Sequence, residues 1–96
     1  MEARQRQTQA HLVVRGRVQG VYFRGGLKQQ ADLRRVRGWV RNRFDGSVEA
    51  VLQGPEEAVA AVVAWARRGP RGAHVESVDV EWSDIDQPMA SFEVVG

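Results

Sequence analysis

The 96 residues have a mass of 10.7 kDa, the size of one domain, and 43% hydrophobic with 27% charged residues exclude a disordered or collagen-like chain. The absence of cysteine excludes disulfides, thiol catalysis and thiolate metal sites. The longest apolar run, Ala58–Ala66, has nine residues, whereas a membrane-spanning helix needs roughly 20. Residues 1–10 carry charge without an apolar segment. We therefore predict a flexible N-terminal tail over 1–10, a single domain over 11–96, no membrane partner and a cytoplasmic location.

The net charge of +2 conceals two halves of opposite sign. Residues 1–48 carry eleven Arg or Lys against three carboxylates, a net +8, while residues 49–96 carry three Arg against nine carboxylates, a net −6. Thirteen of the fourteen basic residues are arginine, whose guanidinium suits bidentate contact with phosphate or carboxylate. The first half thus favours an anionic partner, although genome composition and a solvated surface are the better explanation for most of these arginines.

The first two predicted elements differ in the spacing of their apolar residues. Residues 11–18 alternate in hydropathy, which is typical of a strand, and a four-residue spacing then predicts a helix over about 24–35. The apolar positions are Leu12, Val14 and Val18 in the strand and Phe23, Leu27 and Ala31 in the helix. Gly25 and Gly26 weaken the first helical turn by roughly 1 kcal/mol each relative to alanine, so we expect packing to hold this helix.

A hairpin follows. Residues 38–44 form a predicted second strand, Asp45-Gly46 is a strong two-residue turn signal, and residues 47–53 return as a third strand. The residues in phase on the returning strand are Val48, Ala50 and Leu52.

The second half contains one helix and two strands. Gly54-Pro55-Glu56-Glu57 predicts a helix start with proline at the first helical position, and Arg67-Arg68-Gly69 predicts its end. The predicted buried stripe of this helix is Val59, Val62, Val63 and Ala66; Val78, Val80 and Trp82 mark a fourth strand, and Phe92 and Val94 a fifth. The order βαββαββ predicts an α+β ferredoxin-like split βαβ sandwich, with two helices on one face of a mostly antiparallel sheet of four to five strands.

Neither a metal site nor a nucleotide-hydrolysing loop is indicated. His11 and His74 stand alone, 63 residues apart, without the spacing of a helical ligand pair. The segment Gly16–Gly20 lacks the spacing and the lysine of a Walker loop.

The same two-glycine loop leads into a helix whose first residues include Arg24. Backbone N–H groups, the positive helix end and a guanidinium would converge there as a cradle for a phosphoryl-sized anion. The alternative is a plain tight turn with a solvated arginine, and the loop alone does not decide between them.

Asn42 is in phase with Val40 and Phe44, where an apolar side chain is expected. It either satisfies backbone groups near the hairpin or, beside the cradle, accepts from and donates to one water. It cannot act as a base.

The residues around the cradle offer no cysteine, serine, threonine or histidine, so positioning and charge stabilisation remain as the means of catalysis. Such a site suits an activated phosphate whose leaving group is a stable carboxylate, attacked directly by water.

These segments resemble the signature of the acylphosphatase family. The matching stretches are Gly16-Arg17-Val18-Gln19-Gly20-Val21-Tyr22-Phe23-Arg24, Gly38-Trp39-Val40-Arg41-Asn42, Asp45-Gly46-Ser47-Val48-Glu49, Gln53-Gly54-Pro55 and Gly69-Pro70. The resemblance implies hydrolysis of acyl phosphates to a carboxylate and inorganic phosphate without a metal or organic cofactor. It also implies that Arg24 binds the phosphoryl group and Asn42 orients the attacking water. The loop residues that it assigns to phosphate binding are Gln19, Gly20, Val21, Tyr22 and Phe23.

The sequence departs from the family pattern at Tyr22, at Arg35, where the first helix usually closes with glycine, and at Gly25-Gly26. A non-glycine residue at 35 must adopt a left-handed conformation or change the helix end. A loose first turn could misplace Arg24.

Two other functions are open at this stage. A non-catalytic anion- or RNA-binding module is suggested by the aromatic and basic residues of 37–44, but these fall on the second strand, so a nucleic acid partner is disfavoured. An acylphosphatase-like domain of a larger carbamoyl-transfer protein would need further domains. We expect a monomer whose site can hold phosphate or sulfate.

Overall fold

The computed structural model describes residues 6–96, which contain five strands and two helices. The elements are β1 (Gln7–Arg17), α1 (Phe23–Leu33), β2 (Arg37–Asn42), β3 (Val48–Pro55), α2 (Glu56–Arg68), β4 (His74–Ser83) and β5 (Phe92–Val94). The tail predicted over residues 1–10 is wrong for residues 7–10, which are the start of β1. Their weak alternation gave no strand signal, but β3 extends to Pro55 and pairs with them down to Gln7. Of the remaining six residues, 1–5 lie outside the described residues, and the carbonyl of Arg6 accepts the N–H of Glu56 at 2.8 Å.

The strands form one sheet in the order β4-β1-β3-β2-β5. The neighbouring pairs are antiparallel except β2 and β5, which run parallel. Both helices pack on this sheet, α1 against β2 and β5 and α2 against β1, β3 and β4. The predicted ferredoxin-like sandwich with a mostly antiparallel sheet is confirmed.

The core lies between the helices and the sheet, as the hydrophobic patterns predict. The apolar positions predicted for the first strand, the third strand and the two helices are all buried: Leu12, Val14 and Val18; Phe23, Leu27 and Ala31; Val48, Ala50 and Leu52; Val59, Val62, Val63 and Ala66. Of the residues that mark the last two strands, Phe92 is buried, Val78 and Val80 are partly buried, and Trp82 and Val94 are exposed. The rings of Phe23 and Trp65 lie 5.4 Å apart where α1 meets α2. A Cβ at Gly26 would come within 2.8 Å of Trp65 Cη2. Gly26 therefore weakens α1 locally but allows α2 to approach it closely.

The helix ends differ slightly from the predictions. Pro55 precedes α2 with φ −58° and ψ 141° instead of occupying its first turn, because it is also the last residue of β3. Arg35 takes the left-handed conformation, with φ 59°. The N–H of Val36 donates to the carbonyl of Ala31 at 2.8 Å, which closes α1 in the manner of a glycine cap. Within residues 6–96, neither helix has the length and hydropathy to cross a membrane.

Gly38 lies where β2 approaches β3 closely. Its φ is +140°, and a Cβ would overlap the carbonyl oxygen of Val51 and lie 2.8 Å from its carbonyl carbon. We expect Gly38→Ala to lower the free energy of unfolding by about 2–4 kcal/mol, since backbone strain and overpacking add. The control is Gly72→Ala, with φ +93° but open space around it, which should lose only about 1 kcal/mol. Urea unfolding measures both, and equal losses would contradict the steric argument.

Candidate active site

A loop of residues 19–23, here called the entry loop, connects the end of β1 to the first turn of α1. Gly20 and Tyr22 both have positive φ, at 76° and 65°. Two left-handed residues in so short a loop turn successive N–H groups toward one side, as in anion-binding backbone nests. Within residues 6–96, the N–H groups of residues 20–25 donate to no protein acceptor. The loop and the first helical turn thus present a set of free donors at the positive end of α1.

The side chain of Gln19 ties the entry loop to the β2–β3 hairpin. Its Nε2 donates to the carbonyl of Arg43 at 2.8 Å and to the carbonyl of Ser47 at 2.9 Å. The same Ser47 carbonyl accepts the N–H of Arg43 at 2.9 Å, which closes the hairpin. Segments distant in sequence are therefore held together by a single carboxamide.

Asn42 is the last residue of β2 and lies opposite Val48 on β3. Its Oδ1 is buried and has no hydrogen-bond partner among the described residues. A buried acceptor without a partner costs about 1–3 kcal/mol. The Oδ1 of Asn42 therefore does not bond to backbone groups near the hairpin, which was the first of the two interpretations. This oxygen is available to a ligand or water.

A cavity of about 670 Å³ opens beside Asn42. It is lined by Gln19, Arg41, Asn42, Arg43, Phe44, Asp45 and Gly96. Arg24 does not line this cavity itself, but its Nη1 donates to the carbonyl of Gly96 at 3.3 Å. Gly96 therefore both lines the cavity and contacts Arg24, so Arg24 and Asn42 lie on the same side of the molecule. Of the predicted loop residues, Gln19 borders the cavity and residues 20–23 do not.

A second charged group lies on the helix-free face of the sheet, next to the cavity. Glu49 accepts from His11 Nε2 and from Arg41, each at 2.7 Å. Burial acts to raise the pKa of Glu49, but the hydrogen bonds and charges of His11 and Arg41 together outweigh it and hold the pKa below its ordinary value. Arg41 is thereby held in place, with its guanidinium 5.7 Å from the centre of the Trp39 ring.

The hairpin turn is fixed by Asp45. Its Oδ1 accepts from the hydroxyl of Ser47 at 2.6 Å and from the N–H of Ser47 at 2.9 Å. These bonds, with smaller contributions from Arg43 and Arg15, lower the pKa of Asp45 despite slight desolvation. Asp45 is therefore an ionised turn residue.

Two of the departures from the family pattern compensate each other. The Tyr22 ring lies across Gly25, so that a Cβ at Gly25 would overlap the ring and sit 2.8 Å from the hydroxyl oxygen. The Tyr22 ring thus lies in the space that a side chain at position 25 would occupy. The contact also packs the side chain of a residue whose left-handed backbone costs about 1–2 kcal/mol.

Phe44 is a cavity residue that the sequence interpretation missed. It was assigned to the second strand, in phase with Val40 and Asn42, but β2 ends at Asn42 and Phe44 lies fully exposed in the turn. Its position follows from where the turn begins: the N–H of Gly46 donates to the carbonyl of Arg43 at 3.2 Å, so the turn starts at Arg43 and includes Phe44, ahead of the predicted turn residues Asp45-Gly46.

The chain is similar to known proteins in both sequence and fold. The acylphosphatase family model matches residues 10–94. The chain is 53% identical to an acylphosphatase of Pyrobaculum arsenaticum over 87 residues, covering 90% of this chain and 92% of that protein. It is 57% identical to an acylphosphatase of Thiobacillus denitrificans over 83 residues, covering 86% and 91% of the two chains. The crystal structure of acylphosphatase from Bacillus subtilis superposes with a TM-score of 0.90 at 37% identity, covering 93% of this chain and 99% of that one.

The coupling of Tyr22 and Gly25 can be measured with a double-mutant cycle of Tyr22→Gly and Gly25→Ala. Alanine is favoured over glycine in a helix by about 1 kcal/mol, but in the wild type this gain is offset because the Tyr22 ring must move. We expect Gly25→Ala to be nearly neutral alone and to stabilise the Tyr22→Gly protein by about 1 kcal/mol. Urea unfolding of the four proteins gives the coupling energy, and strictly additive effects would exclude the ring contact.

The lowered pKa of Glu49 makes its contribution to stability dependent on pH. A carboxyl whose pKa is lower in the folded state stabilises above its unfolded value of about 4.3 and loses this effect as the pH falls through the folded value. We expect Glu49→Gln to lower the free energy of unfolding by about 1–3 kcal/mol at pH 7 and to differ progressively less from wild type below about pH 4. Urea unfolding across this pH range measures the difference. A constant difference would mean that the charge of Glu49 is irrelevant.

Proposed function

The chain belongs to the acylphosphatase family, and from this premise we propose that it hydrolyses acyl phosphates in the cavity beside Asn42, with Arg24 binding the phosphoryl group. The protein is an enzyme whose substrate is a small-molecule acyl phosphate. The proposal concerns which residues do the work and how. The buried, unpartnered Oδ1 of Asn42 is the observation that carries it.

Arg24 and the entry loop provide the charge. The guanidinium of Arg24 reaches the edge of the cavity at Gly96, and the free N–H groups of residues 20–25 open at the same helix end. A phosphoryl group bound there would accept hydrogen bonds on its equatorial oxygens, where charge is spread in a loose transition state. The backbone donors and Arg24 then stabilise the same group of atoms.

Asn42 positions the water that acts as the nucleophile. A water that donates to its Oδ1 gains a partner and satisfies an acceptor that otherwise remains unpaired. Because Gln19 fixes the hairpin to the entry loop, this water is held at a set distance from the bound phosphoryl group. In-line attack requires this arrangement.

The reaction proceeds by one displacement. The water oxygen forms a bond to phosphorus while the bond from phosphorus to the acyl oxygen breaks, and the electron pair leaves with the carboxylate. A carboxylate is a stable leaving group and needs no acid. Asp45 lines the cavity, but its lowered pKa and its bonds to Ser47 make it a poor base at neutral pH. The proton of the water therefore passes to a phosphoryl oxygen of the substrate.

Two substitutions test the roles of these residues with benzoyl phosphate in the presence of EDTA. We expect Arg24→Ala to lower kcat/KM by about 10³-fold or more, since it removes the charge on the transferring group. Asn42→Ala should lower kcat by about 100-fold, since it releases the water. The stability of Asn42→Ala should equal or exceed that of wild type, because the variant removes an unpaired buried acceptor.

Arg34→Ala, at the opposite end of α1, is the matched control and should keep wild-type activity. Near wild-type rates in both Arg24→Ala and Asn42→Ala would refute the assignment. Loss of the wild-type activity on adding EDTA would show that a metal ion takes part.

The proposal extends to the oligomeric state of the enzyme, the anions that compete with its substrate and its location. We propose a monomer as the working unit. Phosphate or sulfate should compete with substrate at Arg24. We also propose a cytoplasmic location.

A further inference from the structure

The cavity is larger than a phosphoryl group requires. Its volume of about 670 Å³ falls within the 300–1,000 Å³ range typical of sites that enclose a whole small ligand. Gln19 and Asn42 lie at the end next to the entry loop, whereas Arg43, Phe44 and Asp45 extend the lining along the hairpin turn. The hairpin end is therefore the part of the cavity available to the acyl group.

Phe44 is the exceptional residue of this lining. It is more exposed than any other large hydrophobic side chain in residues 6–96. Phenylalanine has no conformational advantage in a turn, where Gly, Pro, Asn, Asp and Ser are preferred. Within the described residues the ring forms no aromatic pair and no cation–π contact. Its face is free to pack against another molecule.

The charged residues around Phe44 are already paired. Arg41 binds Glu49 at 2.7 Å, and Arg43 lies 3.9 Å from Asp45, whose Oδ1 is engaged by Ser47. A further anionic group on the acyl moiety would have to compete with these carboxylates. An uncharged, flat acyl group can instead pack on the Phe44 ring, which no other aromatic side chain of the described residues contacts.

Resting on the function proposed above, we propose that Phe44 is a specificity-determining residue that selects acyl phosphates with flat, apolar acyl groups. The phenyl ring packs against the acyl group while Arg24 and the entry loop hold the phosphoryl group. Ring packing is the same in the bound substrate and in the transition state, so it lowers KM and leaves kcat unchanged. Small aliphatic acyl groups do not reach the ring and gain nothing from it.

The test compares benzoyl phosphate and acetyl phosphate in wild type, Phe44→Ala and Phe44→Tyr. We expect Phe44→Ala to raise KM for benzoyl phosphate about 3- to 10-fold with kcat unchanged, and to leave kcat/KM for acetyl phosphate within about twofold of wild type. Phe44→Tyr keeps the flat ring and should restore the low KM. The control is Leu33→Ala, which removes the next most exposed large hydrophobic side chain, outside the cavity, and should leave both substrates unaffected.

The outcomes separate this inference from the function on which it rests. An unchanged KM for benzoyl phosphate in Phe44→Ala would overturn the inference, as would equal losses for both substrates, which indicate a disturbed hairpin. In either case wild type would still hydrolyse both substrates and Arg24→Ala would still be inactive. If Arg24→Ala and Asn42→Ala kept full activity, the proposed site itself would fail, and the inference with it.

Discussion

The site depends on the two hydrogen bonds that Gln19 donates to the hairpin. Its Nε2 reaches the carbonyls of Arg43 and Ser47 at 2.8 and 2.9 Å, so the end of the first strand–loop unit is fixed to the turn between β2 and β3. Without this link the entry loop and Asn42 would belong to segments joined only through the sheet. β2 ends at Asn42 because the chain turns there: the carbonyl of Arg43 accepts the N–H of Gly46 at 3.2 Å as well as the Nε2 of Gln19.

The departures from the family pattern have structural reasons that leave Arg24 and Asn42 in place. Tyr22 lies over Gly25, and Gly26 admits Trp65 of α2. Arg35 closes α1 in a left-handed conformation with its following N–H bonded to Ala31. The weak first turn of α1 is thus the consequence of two close contacts, one with the entry loop and one with the second helix, and these contacts replace the helix propensity that two glycines remove.

Asn42 presents a buried acceptor that no described residue satisfies. A buried acceptor without a partner is unfavourable for folding, and the surrounding strand pairs hold it in place: Val40 and Val48 are both fully buried. The nearby carboxylates, in contrast, have hydrogen-bond partners. Glu49 and Asp45 are each bound by neighbouring donors, which lowers their pKa and keeps them ionised. The cavity therefore combines an unsatisfied amide with satisfied carboxylates, an arrangement suited to holding water and unsuited to general base catalysis.

The sequence by itself determined the element order, the inward-facing residues and the family, because hydrophobic period and local turn chemistry act within a few residues. It also indicated Arg24 and Asn42 through a family motif. Only the tertiary structure decided the extension of β1 to Gln7, the pairing of Tyr22 with Gly25, and the exposure of Phe44 at the cavity. The first depends on pairing with the far end of β3, and the cavity beside Phe44 depends on a carboxamide 24 residues from the carbonyl it binds. Tyr22 and Gly25 lie only one helical turn apart, and their contact depends on the direction in which the ring points. Periodicity cannot register such contacts, since it describes one face of one element and not what lies opposite to it.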